Sequence, residues 1–178
     1  PEISLSLFTP FYQNQIEIIR IIARHLPIEF KLLIKEHPRN IGRRSNSYYK
    51  KIFQIPNTEM ADPNLSTIDI VNRCRMVIGL SSFVTFEAAI QQKPTITLGK
   101  SIFNMLPKHM VNHVDNPKNI GREIKWMIDN YRYDSDVLLN FIYSVMEQTI
   151  PLDLWTIILK KKGRQGGQNY SQTGYKEN

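Results

Sequence analysis

The stretch that decides the fold is MVIGLSSFVTFEAAIQQKPTITLG, residues 76–99. It begins with a short apolar run at 76–80, continues through a short helical segment that opens at Phe83, and ends in a β-branched run at 94–99. Two strands joined by one helix form a βαβ unit, in which the strands are parallel and the crossover is right-handed. The stretch therefore predicts a parallel sheet covered by helices.

The same alternation extends towards the amino terminus. The predicted elements are a helix at 12–25, a buried strand at 30–36, a helix at 45–54, a weak strand at 58–61 and a helix capped by Ser66 that ends near Arg73. Strands and short helices thus repeat about every 20 residues. This pattern predicts an α/β, Rossmann-like fold with helices on both faces of a parallel sheet.

Beyond Gly99 the pattern predicts helices only, at 117–130, 135–148 and 152–159. From Gly163 onward no periodic apolar face exists, which is typical of a disordered segment. We therefore predict a single Rossmann-like nucleotide-binding domain at 1–159, with an interdomain-type loop at 1–10 and a helical portion at 117–159. A disordered basic tail follows at 160–178.

Composition limits the function classes. The formal net charge is +7, and the tail holds five of the 23 basic residues against one acidic residue, so the body carries only a modest excess suited to a small anion. The single cysteine, Cys74, cannot form an intrachain disulfide, which indicates a reducing compartment, and we interpret it as core filler. No apolar run approaches the ~20 residues of a membrane span.

His37 and Pro38 follow the first strong predicted strand. In open parallel sheets, ligands bind beyond the carboxyl ends of the strands. The proline ends the strand and holds the preceding histidine in an extended conformation. Basic residues surround the pair and would attract phosphate or carboxylate: Lys35, Arg39, Arg43 and Arg44. A plain strand end is the alternative interpretation.

Ser81 and Ser82 follow the next strong strand and open a helix, and Glu87 lies about one turn further on. Hydroxyls and unpaired backbone N–H groups at such a turn favour an anion, and the carboxylate could accept hydrogen bonds from ribose hydroxyls. Simple helix capping and a helix-dipole contact are the alternatives. Because the His37–Pro38 pair and the Ser81–Ser82 pair both lie at strand ends of one predicted sheet, a phosphate site is favoured.

Other patterns are weaker. His109 and His113 are four residues apart and could share a helix face, but without an HExxH motif a loop or surface pair is favoured over a metal site. The basic run at 160–164 could touch lipid or nucleic acid, although a solvated tail is the commoner outcome. The sequence contains no GxGxxG, Walker, G-x-S-x-G or HExxH motif, which argues against common dehydrogenases, P-loop NTPases, lipases and zincins.

These residues resemble a known family. PEISLSL followed by Gln15, then LPIEFKLLIKEHPR at 26–39, and then VIGLSSFVTFEAAIQQKPTITLG at 77–99 resemble the capsule polysaccharide biosynthesis family, whose members include transferases of Kdo from CMP-Kdo. The resemblance covers about residues 1–103. That family is similar to the carboxyl-terminal, donor-binding half of GT-B glycosyltransferases, and bacterial sialyltransferases carry comparable His-Pro and Ser-Ser pairs.

The resemblance implies a role for each candidate residue. His37, as the catalytic residue, would hydrogen-bond the donor phosphate; Ser81 and Ser82 would bind it from the opposite rim; and Glu87 would contact the ribose. Lys35, Pro38 and Arg39 would complete the donor-nucleotide site. The family usually has a glycine where this chain has Gln92, and commonly a tyrosine where it has Phe103.

The function expected from the resemblance is a glycosyltransferase domain that binds a nucleotide-sugar donor, CMP-Kdo or a similar CMP-sugar, for capsule or other surface polysaccharide synthesis. No metal or other cofactor is expected. The expected partners are the donor, a glycan or glycolipid acceptor and an amino-terminal acceptor domain missing from this chain, without which the chain could be inactive. We expect a cytoplasmic location, with peripheral association at the inner face of a bacterial membrane as an option.

Three alternatives stay open, and one of them is a degenerate copy of the fold that serves only as an interaction surface. A UDP-sugar-dependent transferase or epimerase-like protein would use the same kind of phosphate site with a different nucleotide. A basic nucleic-acid-binding module would fit the sequence pI of about 9.5, but the chain has no stripe of alternating aromatic and basic residues, so nucleic acid is the less favoured partner.

Overall fold

A computed structural model describes residues 9–37 and 40–149, together with the backbone of two short strands at 164–165 and 168–169. The chain divides into two compact units, Pro1–Leu139 and Asn140–Asn178. The first unit contains five parallel strands and the helices between them. The second contains the end of the last described helix and an antiparallel pair of two-residue strands.

The helices and strands alternate in the order that the sequence predicts as far as residue 99. They are α1 (Gln15–His25), β1 (Leu32–Ile34), α2 (Asn46–Phe53), β2 (Thr58–Met60), α3 (Thr67–Arg73), β3 (Val77–Gly79), α4 (Val84–Ile90) and β4 (Thr95–Thr97). Then follow a 3₁₀ turn (Ile102–Met105), β5 (Val111–His113), a second 3₁₀ turn (Pro117–Asn119), α5 (Ile120–Asn130), α6 (Ser135–Gln148), β6 (Arg164–Gln165) and β7 (Gln168–Asn169).

The strands of the first unit form two parallel sheets flanked by helices, so the predicted α/β, Rossmann-like fold is confirmed. β1 pairs with β2, and β4 lies between β3 and β5. Among the described strands no hydrogen-bonded ladder joins β1 to β3, although Leu32 of β1 and Ile78 of β3 pack against the same apolar core. The single continuous sheet of the sequence prediction is therefore divided in two.

The core is built from one face of α1, one face of α5 and the strands between them. Its fully buried members include Ile22 of α1, Ile96 of β4, and Ile124 and Met127 of α5. The apolar residues of both helices recur at helical spacing, which puts them on one face, as the sequence predicts. β1 differs from the prediction of a buried strand, because Leu33 is 41% exposed.

The prediction of helices alone beyond Gly99 is wrong, because β5 lies there. Its middle residue, Asn112, is buried and donates a hydrogen bond to Glu123 of α5. A buried polar residue inside a three-residue strand removes the apolar signal on which the prediction depends. His113 is the last residue of this strand, so it does not share a helix face with His109.

Most helix boundaries agree with the prediction. α6 spans the predicted residues, and the Ser66 hydroxyl caps α3 by accepting a hydrogen bond from the Asp69 N–H. α1 begins later than predicted, at Gln15, because the Asn14 side chain provides its cap. The predicted loop at 1–10 and helix at 152–159 lie almost wholly outside the described residues, as does most of the predicted disordered tail.

Gln92 occupies the position at which helix α4 turns back into β4. Its φ of +57° lies in the left-handed region, and the N–H groups of Gln92 and Lys93 donate to the carbonyls of Ala89 and Ala88. This is the Schellman arrangement, in which glycine is preferred because it has no Cβ to strain. A glycine at this position would therefore adopt the observed backbone conformation without strain.

We expect Gln92→Gly to raise the free energy of unfolding by about 0.5–1 kcal/mol, because glycine relieves the left-handed strain. Urea denaturation followed by circular dichroism measures the change. The control is Gln91→Gly, because Gln91 has a φ of −82° and needs no glycine. Equal effects of the two substitutions would contradict the explanation.

Candidate functional site

The second sheet defines one edge on which polar residues collect. Gly79, Thr97 and His113 are in register across β3, β4 and β5. The residues that follow them therefore leave the sheet side by side, at what we call the carboxyl edge. Ligands of open parallel sheets bind beyond such an edge, and the Ser81–Ser82 turn lies there.

The Ser81–Ser82 turn is held by its own hydrogen bonds. The Ser82 carbonyl accepts from the Thr85 hydroxyl at 2.7 Å and from the Thr85 N–H at 3.1 Å, and the Ser82 hydroxyl accepts from the Val84 N–H at 3.4 Å. The N–H groups of Phe86 and Glu87 donate to the Phe83 carbonyl. The N–H groups of residues 84–87 are therefore not among the unpaired donors that the sequence predicts at this turn. The ligand donors that the turn offers are its hydroxyls.

Two predicted side chains near this turn are available to a ligand. Among the described residues, the Ser81 hydroxyl and the Glu87 carboxylate have no hydrogen-bond or ion-pair partner, and both residues are half-buried. Ser82 is exposed. An acceptor and two hydroxyl donors thus lie within a seven-residue segment after β3, which is the chemistry needed to hold a phosphate and a vicinal diol.

Close packing of β3 against α4 positions the turn. A Cβ added at Gly79 would lie 2.4 Å from the Thr85 Cγ2 atom, and Thr85 is buried. Only a residue without a side chain allows this approach. The contact sets the height at which α4 begins above the sheet, and through the two hydrogen bonds of Thr85 it sets the position of Ser82.

His37 lies exposed in the segment that follows β1. Its carbonyl accepts a hydrogen bond from the Asn40 N–H at 2.8 Å. Pro38 and Arg39, the other predicted residues of this segment, lie outside the described residues. His37 follows Ile34, the last residue of β1, by three positions, and its role in binding stays a prediction.

The charged residues around His37 have structural contacts that sequence reasoning missed. The Lys35 ammonium donates to the Pro63 carbonyl at 2.8 Å, which ties the end of β1 to the loop after β2. Glu36 accepts a hydrogen bond from the Tyr49 hydroxyl at 2.8 Å, and this bond raises the pKa of Tyr49. Arg44 donates to the Gln15 side chain and lies over the ring of Tyr48. Of these, Lys35 keeps two further N–H donors for an anion.

The contact between the His37 segment and the Ser81–Ser82 turn stays a prediction. The two follow β1 and β3, which belong to separate hydrogen-bonded sheets, and both strands send side chains into the same core. Among the described residues, no group of three or more His, Cys, Asp or Glu side chains is placed to hold a metal ion.

A hydrogen-bond network at the ends of β4 and β5 escaped the sequence analysis. The His113 ring places Nε2 2.5 Å from the Asp115 carboxylate and Nδ1 3.2 Å from both the carbonyl and the hydroxyl oxygen of Thr97. That hydroxyl donates to Asn104, which also accepts from Ser101. His113 is thus a structural link that holds Asp115 at the carboxyl edge.

The fold and the edge define an α/β protein with a polar site beyond a parallel sheet. A family model, described as capsule polysaccharide biosynthesis protein, matches residues 8–108. The chain belongs to this family, which supports a role in surface polysaccharide synthesis. No curated protein and no solved structure gives a significant match to the chain. None of the helices in the described part of the chain is long and apolar enough to span a bilayer.

Proposed function

We propose that the chain is the donor-binding part of a glycosyltransferase that uses a nucleotide sugar, in the first place a CMP-sugar, to build capsule or another surface polysaccharide. The observation that carries the proposal is the set of available side chains at the end of β3, Ser81, Ser82 and Glu87, in a member of this family. The proposed setting is the cytoplasmic side of the membrane, where acceptor glycans or glycolipids are extended.

The reaction would be a displacement at the anomeric carbon. An acceptor hydroxyl forms the new C–O bond, the bond to the donor phosphate breaks, and the nucleotide leaves with that electron pair. Negative charge then grows on the phosphate. Hydroxyl donors from Ser81 and Ser82 and the imidazole of His37 would stabilise this charge, with Lys35 adding a positive field. The proton of the acceptor hydroxyl would go to a general base.

The different roles of the two serines and of Glu87 follow from side-chain chemistry. Serine hydroxyls donate single hydrogen bonds and suit a phosphate oxygen, whereas the Glu87 carboxylate only accepts and suits the two ribose hydroxyls. A carboxylate next to phosphate would repel it, so the ribose must be the group that reaches Glu87. The fixed turn of Ser82 means that little ordering is left for the moment of binding.

Binding of free nucleotides tests the proposal in the intact chain. We expect isothermal titration to show binding of CMP, and we expect Ser81→Ala, Ser82→Ala and His37→Ala each to weaken it roughly tenfold, the loss of one hydrogen bond to a charged group. Matched controls are Ser135→Ala and His25→Ala, which lie at the start of α6 and the end of α1. The controls should bind CMP as the wild type does.

The alternative outcomes are distinct. Tighter binding of UDP than of CMP would transfer the proposal to UDP-sugars without changing the site. Equal binding by the serine variants and the wild type would overturn the site. Absence of binding for both nucleotides would overturn the proposed function.

A further inference from the structure

Phe83 is an exposed aromatic residue that directly follows the Ser81–Ser82 turn. Its side chain is 68% exposed. It occupies the N-cap position of α4, where polar residues are preferred because their side chains accept hydrogen bonds from the first N–H groups of the helix. Phe83 makes no such cap hydrogen bond. Helix capping therefore does not account for the residue at this position.

Two other aromatic rings hold the Phe83 ring in place. Its centroid lies 5.2 Å from that of Phe103 and 6.3 Å from that of Phe86, and its plane is nearly perpendicular to both, at 78° and 85°. These are favourable edge-to-face arrangements. Phe86 and Phe103 are themselves stacked at 4.8 Å, and Phe103 is buried. The Phe83 ring thus has a supported orientation and still offers most of its surface to a ligand.

Phe83 adjoins both parts of the proposed donor site. It follows Ser82 directly, so the Cα atoms of the two residues are ~3.8 Å apart. Its φ of −58° and ψ of −24° are helical, and its carbonyl accepts a hydrogen bond from the Glu87 N–H at 3.0 Å. In helical geometry, side chains four residues apart lie on the same face, with their Cβ atoms about 5–6 Å apart. The Phe83 and Glu87 side chains are therefore neighbours on α4.

A nucleoside monophosphate carries its groups in a matching arrangement, because the ribose joins the phosphate on one side to the base on the other. With the phosphate at Ser82 and the ribose hydroxyls at Glu87, the base is left beside the residue that adjoins both. Nucleobases stack on exposed aromatic side chains, and this contact contributes substantially to the affinity of single-stranded nucleic acids for proteins. An isolated exposed ring is common on protein surfaces, but this ring is supported from below and lies between the two proposed contacts.

From these observations we propose that Phe83 is the stacking platform for the base of the donor nucleotide. The assignment rests on the proposed function, since it takes the phosphate and ribose contacts from it. Every base has a π-face, so stacking is tolerant of base identity. Phe83 therefore strengthens the binding of cytosine and uracil nucleotides alike, and discrimination between them falls to other groups.

The test compares ligands with and without a base in the intact chain. Isothermal titration measures binding of CMP and UMP, and saturation-transfer NMR measures binding of ribose 5-phosphate, which keeps the sugar and the phosphate alone. We expect Phe83→Leu to weaken CMP and UMP roughly tenfold and to the same extent, and to leave ribose 5-phosphate unchanged. Phe83→Tyr keeps the ring and should bind CMP as the wild type does.

The stacking itself has a spectroscopic signature. The cytosine H5 and H6 protons of bound CMP should shift upfield, because they lie over an aromatic ring, and this shift should be lost in Phe83→Leu. The matched control is Phe53→Leu, because Phe53 is also 68% exposed but lies at the end of α2. It should keep both the affinity for CMP and the upfield shift. Circular dichroism checks that each variant is folded.

The outcomes separate this assignment from the proposed function. CMP affinity and proton shifts that persist in Phe83→Leu would overturn the platform alone. An equal loss of ribose 5-phosphate would show that the substitution displaces the Ser81–Ser82 turn, and would overturn the stacking role. A change in the ratio of CMP to UMP affinity would overturn the tolerance for base identity. Failure of all three ligands to bind the wild type would overturn the proposed function and the platform with it.

Discussion

Replacing Gly79 by alanine is expected to destabilise the protein by about 2 kcal/mol, the cost of forcing a methyl group into a closely packed interior. The new Cβ would lie 2.4 Å from the Thr85 Cγ2 atom, far inside van der Waals contact, and neither residue can move freely. Thr85 is buried and bonds the Ser82 carbonyl through its own hydroxyl. The substitution should therefore also displace the Ser81–Ser82 turn and weaken CMP binding.

A second substitution isolates the cause. Thr85→Ser removes the Cγ2 methyl group that the new Cβ would contact, and it keeps the hydroxyl that bonds Ser82. In the Gly79→Ala background, Thr85→Ser should restore most of the lost stability and most of the CMP affinity, although Thr85→Ser alone should be mildly destabilising. Urea denaturation and isothermal titration of the four proteins measure the coupling between residues 79 and 85 in stability and in CMP affinity.

Gly121 provides the matched control. A Cβ there would lie 2.2 Å from the His25 Cδ2 atom, but His25 is an exposed side chain at the end of α1, and its ring can rotate away once the 2.8 Å contact between its Nδ1 atom and the Ile21 carbonyl breaks. The His25 Cβ, 3.0 Å away, then requires only a small shift. Alanine also favours the helix interior by ~1 kcal/mol relative to glycine. Gly121→Ala should therefore destabilise the protein less than Gly79→Ala does, and it should leave CMP binding unchanged. A loss as large as that of Gly79→Ala would contradict the packing argument.

The contrast between these two glycines shows what the sequence can predict. The apolar run at the start of the 76–99 stretch and the β-branched run at its end predict β3 and β4, because both signals are local. The order of the first four strands and the Ser66 cap follow from the same local rules. The same rules do not predict which glycine is needed for close packing, because that depends on whether the facing side chain is buried.

The candidate site, too, could be predicted only in part from the sequence. The sequence predicts that Ser81, Ser82 and His37 follow strands, and the structure places them there. The hydrogen bonds that link His113 to Thr97 and Asp115 were missed because the prediction of helices beyond Gly99 hid β5. A pairing such as Glu36 with Tyr49 was missed for a similar reason, since residue spacing carries no signal for a contact across two elements.

The signal that could have found β5 lies in a polar pair. Asn112 is buried, and its amide donates to the Glu123 carboxylate at 2.9 Å. A buried amide needs a partner, and a glutamate on the apolar side of a predicted helix needs one too. Two polar residues in otherwise apolar positions, eleven residues apart, are therefore typical of a strand that packs against the following helix.

That glutamate is expected to control stability in acid. Glu123 is only 7% exposed, and its carboxylate contacts Lys108 at 2.9 Å and Arg122 at 2.9 Å in addition to Asn112. Burial alone would raise the pKa of this carboxyl, but the hydrogen bonds from these three neighbours outweigh burial and lower the pKa to about 2. The folded protein thus keeps the charge under conditions in which the unfolded chain, with an ordinary value of 4.5, takes up a proton.

The direction of the pH effect follows from proton counts. Between about pH 4.5 and pH 2, the unfolded chain binds more protons at this position than the folded protein does, so stability falls as the pH falls. The contribution of the Glu123 charge is complete above pH 4.5 and is lost once the pH passes below about 2. We expect Glu123→Gln to lose about 3 kcal/mol at pH 7, close to the free energy equivalent to such a shift.

The measurement compares urea denaturation of wild type and Glu123→Gln from pH 7 to pH 2. The difference in unfolding free energy should be constant above pH 5 and should shrink steadily towards pH 2 as the wild type loses its advantage. Asp129→Asn, an exposed change on the same helix, should run parallel to the wild type. A difference that stays constant down to pH 2 would contradict this explanation. It would show that the substitution destabilises the protein through packing and hydrogen-bond geometry, which do not change with pH, and not through the loss of a charge.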